Sequence, residues 1–162
     1  MSETPHFESP PPAGPGDLSA LWMQDPAALK ALFDAVPVRV IVLDADECVL
    51  YLNHEFYAFT GLSLKQLLGC PVRDLIGEPA YALYAPQRAR LMAGESLHWE
   101  GWMPFPGKGS RYTRENLVPY GAKGERPRAI VVMSQDLTEH KLREAALADK
   151  VRALEAAESL KS

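Results

Sequence analysis

Two short apolar runs, one from Ile41 to Leu43 within a first strand of Val38 to Leu43 and one from Cys48 to Leu52, flank the acidic stretch Asp44-Ala45-Asp46-Glu47. Apolar runs across a tight polar turn predict a β-hairpin. Asn53 then breaks the strand pattern as a helix cap, and Phe56 and Phe59, spaced three apart, give a short helix an apolar face against that hairpin. Thr60-Gly61 ends this helix. Ser63 caps a small helix from Leu64 to Leu68, and Pro71 permits another short turn that runs through Ile76 and stops at Gly77. From Pro79 the period lengthens, with Tyr81, Tyr84, Arg88, Leu91 and Met92 on one helical stretch ending at Gly94. Pro86 falls inside it, which predicts a kinked or split helix.

Three strands follow. Leu97, Trp99, Gly101 and Met103 alternate with His98, Glu100, Trp102 and Pro104, and Pro106-Gly107-Lys108-Gly109 turns the chain. The next strand, Arg111 to Tyr120, carries Tyr112, Arg114, Asn116 and Val118 on one face and Thr113, Glu115 and Leu117 on the other. Pro119 belongs near its end, where a missing donor does little harm. After Gly121-Ala122-Lys123-Gly124 a last strand spans Arg128 to Gln135, and its apolar centre, Ala129 to Met133, predicts a central place in the sheet. Beyond Asp136 the period is helical to the end, with Thr138 and Asp136 competing as cap. Leu147, Val151 and Leu154, spaced four and three, form a seam that asks for a second helix, with folding back onto the same domain as the alternative.

At the other end, Asp25-Pro26 is a good helix start, and Leu29, Leu32 and Phe33 form a stripe ending at Pro37. Leu18, Leu21, Trp22 and Met23 form an apolar cluster just ahead of it, which needs either the sheet's outer face or another protomer as cover. Residues 1–19 hold five prolines and two glycines and read as a disordered leader.

Tyr51, Asn53, Phe56, Thr60-Gly61 and Leu67-Leu68-Gly69, in this order, resemble the opening of a PAS domain, a sensory module of many bacterial signalling proteins. Asp136-Leu137-Thr138-Glu139 resembles the Asp-x-Thr that closes the last strand of that family and opens an outgoing signalling helix. The resemblance runs from about Ala27 to Glu139. It implies an α+β fold: a five-stranded antiparallel sheet with short helices across one face, flanked by N-terminal and C-terminal signalling helices. The expected partition is a leader at 1–19, an N-terminal flanking helix at 20–36, the PAS domain at 37–137 and a C-terminal signalling or coiled-coil helix at 138–162.

Composition narrows the function. The hydrophobic fraction is 47%, the charged fraction 23% and the net charge −4, with lysines and arginines scattered singly. That is an ordinary globular balance without the basic patch of a nucleic-acid binder or an electrostatic membrane anchor. Neither a signal peptide nor a long apolar span is present, so a cytoplasmic location is expected. The two cysteines, Cys48 and Cys70, form neither a disulfide framework nor a metal motif by spacing.

No catalytic constellation emerges, and no enzyme activity is expected of this stretch. The Pro106-to-Gly109 turn lacks the glycine spacing and terminal Lys-Ser/Thr of a phosphate loop. His6, His54, His98 and His140 join no metal-ligand cluster. No serine sits in a nucleophile elbow. Asp44 and Asp46 share a tight turn where carboxylates cap amides. His140 is preceded by Glu139 but followed by Lys141, so it lacks the acidic residue directly after it and the following proline of a phospho-accepting kinase helix.

The resemblance raises the question of a cofactor. The flavin-binding branch of the family uses a cysteine where this chain has Val72, Cys70 lying two places early, and a glutamine where it has Ser134. The haem-binding branch takes a histidine from the long helix, which here has none; His98, on a strand, is the one alternative ligand. Neither group is expected, and the cofactor stays unassigned.

A small organic ligand fits better. Tyr81, Tyr84, Arg88 and Leu91 on the long helix, with Trp99, Trp102, Met103, Tyr112, Arg114, Asn116 and Met133 on the strands, are the candidate ligand-binding residues. An inward Arg88 or Arg114 would favour a planar anion. The alternative makes the aromatics core and pairs the arginines with Glu100 and Glu115. Asp136 and Thr138 are the candidate signal-transmission residues; Leu21, Trp22, Leu29, Leu147, Val151 and Leu154 are the candidate dimer interface. The expected function is a sensory and dimerisation module that passes a ligand or partner signal through its C-terminal helix to an output domain, such as a histidine kinase or diguanylate cyclase. A ligand-free interaction scaffold is the alternative.

Overall fold

The computed structural model describes residues 25–161. The expected leader at 1–19, the first residues of the expected flanking helix and the candidate dimer residues Leu21 and Trp22 lie outside that range.

Helix α1, Pro26–Ala35, starts as its sequence dictates: the Asp25 carboxylate accepts from Ala27 N at 3.0 Å and proline takes the first turn. Strands β1, Arg39–Asp44, and β2, Val49–Leu52, form the hairpin. Its turn is closed by Asp44 Oδ1, which accepts from Asp46 N at 2.8 Å and Cys48 N at 2.9 Å. Cys48 is left out of β2 and bridges Pro71 instead.

Asn53 follows. It is fully buried, and its amide uses both ends: Oδ1 accepts from Val40 N (2.8 Å) and Phe56 N (3.3 Å), while Nδ2 donates to Val38 O (2.8 Å) and Phe33 O (3.0 Å). One side chain thus caps helix α2, His54–Thr60, and ties it to β1 and to the end of α1. A buried amide is stabilising only when satisfied in this way.

Short helices α3 (Leu64–Leu67) and α4 (Val72–Ile76) come next; Ser63 and Gln66 form a capping box on α3. The long helical stretch is split at Pro86 into α5 (Glu78–Tyr84), a 3₁₀ turn (Ala85–Gln87) and α6 (Arg88–Met92). Strands β3 (Leu97–Phe105), β4 (Gly109–Tyr120) and β5 (Ala129–Asp136) complete an antiparallel sheet in the order β2-β1-β5-β4-β3. β5 is therefore central, with β1 and β4 as its neighbours. The fold is α+β, five antiparallel strands with α2 to α6 across one face.

The core lies between that face and the helices, with Leu43, Leu52, Leu67, Leu91 and Ile130 essentially sealed from solvent. Each such side chain contributes about 1.5–3 kcal/mol of burial. Helix α7, Thr138–Ser159, leaves the end of β5; among its described residues only Thr138 is buried. No helix among the described residues is long and apolar enough to cross a membrane.

Candidate functional site

The helices do not fill the inner face of the sheet completely. A cavity of about 260 Å³ remains between them, walled by Ile41, Leu43, Phe56, Val72, Leu75, Tyr84, Met103, Leu117 and Val132. Pairing register puts a polar row into this apolar wall. Arg39 on β1 stands opposite Ser134 on β5, Ser134 opposite Glu115 on β4, and Glu115 opposite Trp99 on β3. All four line the cavity.

The row is hydrogen-bonded in sequence. Arg39 Nη2 donates to Ser134 Oγ at 3.0 Å, and Ser134 Oγ donates to Glu115 Oε1 at 2.6 Å. Arg39, Ser134 and Glu115 are all buried. Burial pushes the Glu115 carboxyl above the usual range, although the Ser134 and Thr113 hydroxyls and the Arg39 charge pull the other way. Burial likewise lowers the pKa of Arg39, against the pull of Glu115 and Asp136. The guanidinium carbon lies 4.1 Å from the Phe59 ring centre and 5.4 Å from that of Phe105, within cation–π range. Lys108 Nζ lies 5.6 Å from the same Phe59 ring.

On its far side Arg39 meets the end of β5: Nη1 is 3.8 Å from Asp136 Oδ2. That carboxylate oxygen also accepts from Arg111 Nε at 2.9 Å. Asp136 Oδ1 accepts from the backbone N–H and the hydroxyl of Thr138, and Thr138 Oγ1 accepts from Tyr112 N at 2.9 Å. Burial opposes ionisation of Asp136, but the Thr138 hydrogen bonds and the Arg111 charge outweigh it and hold the pKa below the ordinary carboxylate value.

Of the residues chosen from sequence, Tyr84, Trp99 and Met103 line the cavity. Leu91 is in the apolar core. Tyr81 and Arg88 brace the hairpin turn instead: Tyr81 Oη donates to Glu47 Oε2 at 2.7 Å, Arg88 Nε pairs with Glu47 Oε1 at 3.0 Å, and Arg88 Nη2 donates to Ala45 O at 3.0 Å. Trp102, Tyr112, Arg114, Asn116 and Met133 sit on the opposite face of the sheet. There Trp102 and Tyr112 stack edge to face at 5.5 Å, and Arg114 pairs with Glu100 at 2.9 Å. His98 is exposed on that same outward phase of β3.

Strand phase explains the difference. Leu117 faces the core, so Glu115 and Thr113 must as well, and Tyr112, Arg114 and Asn116 must point away. An aromatic, an arginine and an asparagine look like a ligand wall, while a glutamate looks like a surface residue. The inner phase is nonetheless the one with the glutamate. The same disguise hid Arg39, although its alternation with Ile41 and Leu43 was the available signal. Val72 rather than Cys70 reaches the cavity; Cys70 Sγ contacts Gln66 O at 3.3 Å. Among the described residues no group of three or more His, Cys, Asp or Glu is arranged to hold a metal ion.

Residues 33–142 match the family model described as PAS fold. No curated protein matches the chain. Among solved structures, the chain is similar to the PAS domain of an HTR-like protein from Haloarcula marismortui, at 20% identity over 74% of this chain and 97% of that one, with a TM-score of 0.56. It is similar to the PAS domain of BvgS from Bordetella pertussis at 22% identity, 80% and 95% coverage and a TM-score of 0.59. An RNA-binding light-oxygen-voltage receptor superposes with a TM-score of 0.63 at 20% identity, over 90% of this chain and 41% of the receptor. At such identities the likeness is one of fold alone.

Proposed function

Since the chain belongs to the PAS fold family, we propose that it is a cytoplasmic sensory and dimerisation module, in which occupancy of the inner cavity is passed through α7 to an output domain. A histidine kinase or diguanylate cyclase is the output we favour. The observation that carries this reading is the position of Arg39. One guanidinium nitrogen belongs to the polar row of the cavity, and another lies 3.8 Å from the carboxylate that fastens the start of α7. A ligand that moves Arg39 therefore perturbs Asp136 and, through it, Thr138.

The far part of α7 supports a dimer. Leu147, Val151 and Leu154 are all more than half exposed, on a helix of 22 residues that makes few contacts with its own domain. Such a seam is stabilised by a second helix. Ligand binding would then bias two packings of the seam to the extent that its affinity for them differs. Leu29 on α1 is half-buried and joins the proposed interface as a secondary contact. The second reading, an interaction scaffold that binds nothing in its core, draws on the same exposed seam; the open cavity weighs against it.

Native mass spectrometry of protein purified without added ligand, with an absorption spectrum of the same sample, tests the reading. A dimer carrying an additional small mass supports the sensor. A dimer at bare mass supports the scaffold, and a monomer overturns both.

A further inference from the structure

We propose that the cavity takes a small amphipathic carboxylate, with its anionic end on Arg39 and its apolar body against Phe56, Leu75 and Trp99. The proposal rests on the sensory reading of the same cavity and adds the chemical class of the ligand.

Arg39 is the reason. A guanidinium offers five N–H donors. Arg39 is 6% exposed, yet among the described residues it makes one hydrogen bond, to Ser134 Oγ. The 3.8 Å approach to Asp136 is too long to be a second. No Arg39 nitrogen is among the sealed side-chain atoms that lack a partner, so its free donors reach accessible space, and the side chain lines the cavity. Phe59 and Phe105 stand close enough for cation–π contact with the guanidinium and offer no acceptor. The remaining donors belong to a side chain that lines the cavity, and what they lack is an acceptor.

The acceptor that best fits a guanidinium edge is a planar carboxylate, which takes two parallel N–H bonds. Lys108, which also lines the cavity, adds a second positive charge on this side. A doubly charged phosphate fits less well, because Glu115 and Asp74 line the same cavity. The other walls are chiefly aliphatic and aromatic, so the rest of the ligand is apolar. Its size is bounded too: about 260 Å³ lies below the range of about 300–1,000 Å³ usual for drug-sized ligands.

Isothermal titration calorimetry on the whole chain at pH 7 tests this with hexanoate, 3-phenylpropionate and indole-3-acetate, each against the alcohol of the same skeleton. At least one acid should bind about tenfold or more tightly than its alcohol, and Arg39→Met should remove that preference while leaving the alcohol's affinity within about twofold. Equal affinity of acid and alcohol overturns the carboxylate assignment and leaves a ligand-binding cavity standing. A preference that survives in folded Arg39→Met places the anion elsewhere and overturns it also. Binding of no acid overturns it, and a dimer at bare mass in the native spectrum would then take the sensory reading with it. If Arg39→Met does not fold, the ¹⁵N resonance of Arg39 Nε in the unaltered protein decides: it should move on addition of the acid and not the alcohol, and a resonance that stays still overturns the proposal.

Discussion

Asp136 receives both donors of Thr138 on one oxygen, the backbone N–H at 3.0 Å and the hydroxyl at 2.5 Å, so the end of β5 and the first turn of α7 are one bonded unit. The N-cap position is neither Asp136 nor Thr138 but Leu137, which offers no side-chain acceptor, so Asp136 one residue earlier serves the first helical N–H instead. Asp136→Ala removes that acceptor and leaves Arg111 without its carboxylate. Loss of a hydrogen bond to a charged group costs about 1.5–3 kcal/mol. Thermal unfolding should show a lowered midpoint for the variant, and hydrogen exchange should speed up at the first amides of α7. Unchanged exchange there would separate Asp136 from helix anchoring.

The same carboxylate gives a pH dependence. Its folded pKa lies below the ordinary aspartate value of about 3.9, so its contribution is present above that pH and is lost as pH falls through the folded value. Chemical unfolding of the wild type and Asp136→Asn should therefore differ most above about pH 4 and converge in stronger acid. A difference that grows on acidification would contradict this.

Glu115 acts in the opposite direction. Its folded pKa is raised above the ordinary glutamate value of about 4.3, so the folded state holds the proton more tightly than the unfolded chain. Stability from this group is full below about pH 4.3 and declines as pH rises through the folded value. Glu115→Gln keeps an acceptor for Ser134 and removes the titration. Urea unfolding at a series of pH values should show the variant gaining on the wild type as pH rises from 4 to 7. A gain that is flat across that range would count against a perturbed Glu115.

Asn53→Ala should be among the most damaging single changes. It strips partners from Val40 N, Val38 O and Phe33 O at once, and a buried unsatisfied group costs about 1–3 kcal/mol. A loss on the order of 3 kcal/mol in urea unfolding is expected. A loss below about 1 kcal/mol would mean that water or relaxation replaces these bonds.

Gly77 joins α4 to α5 at φ +81° and ψ +162°, a region essentially closed to other residues. A Cβ there would also meet Pro106 Cγ at 3.1 Å, beside the cavity. Gly77→Ala should cost about 1–3 kcal/mol, read as a lowered thermal midpoint. An unchanged midpoint would mean that the junction can rearrange.

Much of this fold is legible in the sequence because local signals and long-range order agree. The acidic turn, the Asn53 cap, the Pro86 break and the apolar run of β5 each have one local cause, and each is found where that cause puts it. The ends of strands move by a residue or so, as at Cys48, where pairing with Pro71 replaces the hairpin ladder. The cavity is harder to read. Its polar row spans four strands, and no spacing along the chain reveals that Arg39, Ser134, Glu115 and Trp99 are neighbours. Residue type also misleads there, because a charge that normally marks the surface is here turned inward and matched across the sheet. Tyr81 and Arg88 lie on the expected helix, yet they serve Glu47 because that residue projects from the hairpin turn towards them.

The most direct test of coupling between cavity and helix is a distance measured across the proposed dimer. With Cys48 and Cys70 replaced by serine and a spin label on the exposed position 153 of α7, double electron–electron resonance reads the separation of the two helices. Saturating 3-phenylpropionate should shift the distance distribution, and Asp136→Ala should abolish that shift while binding persists. An identical distribution with and without bound ligand would contradict the account.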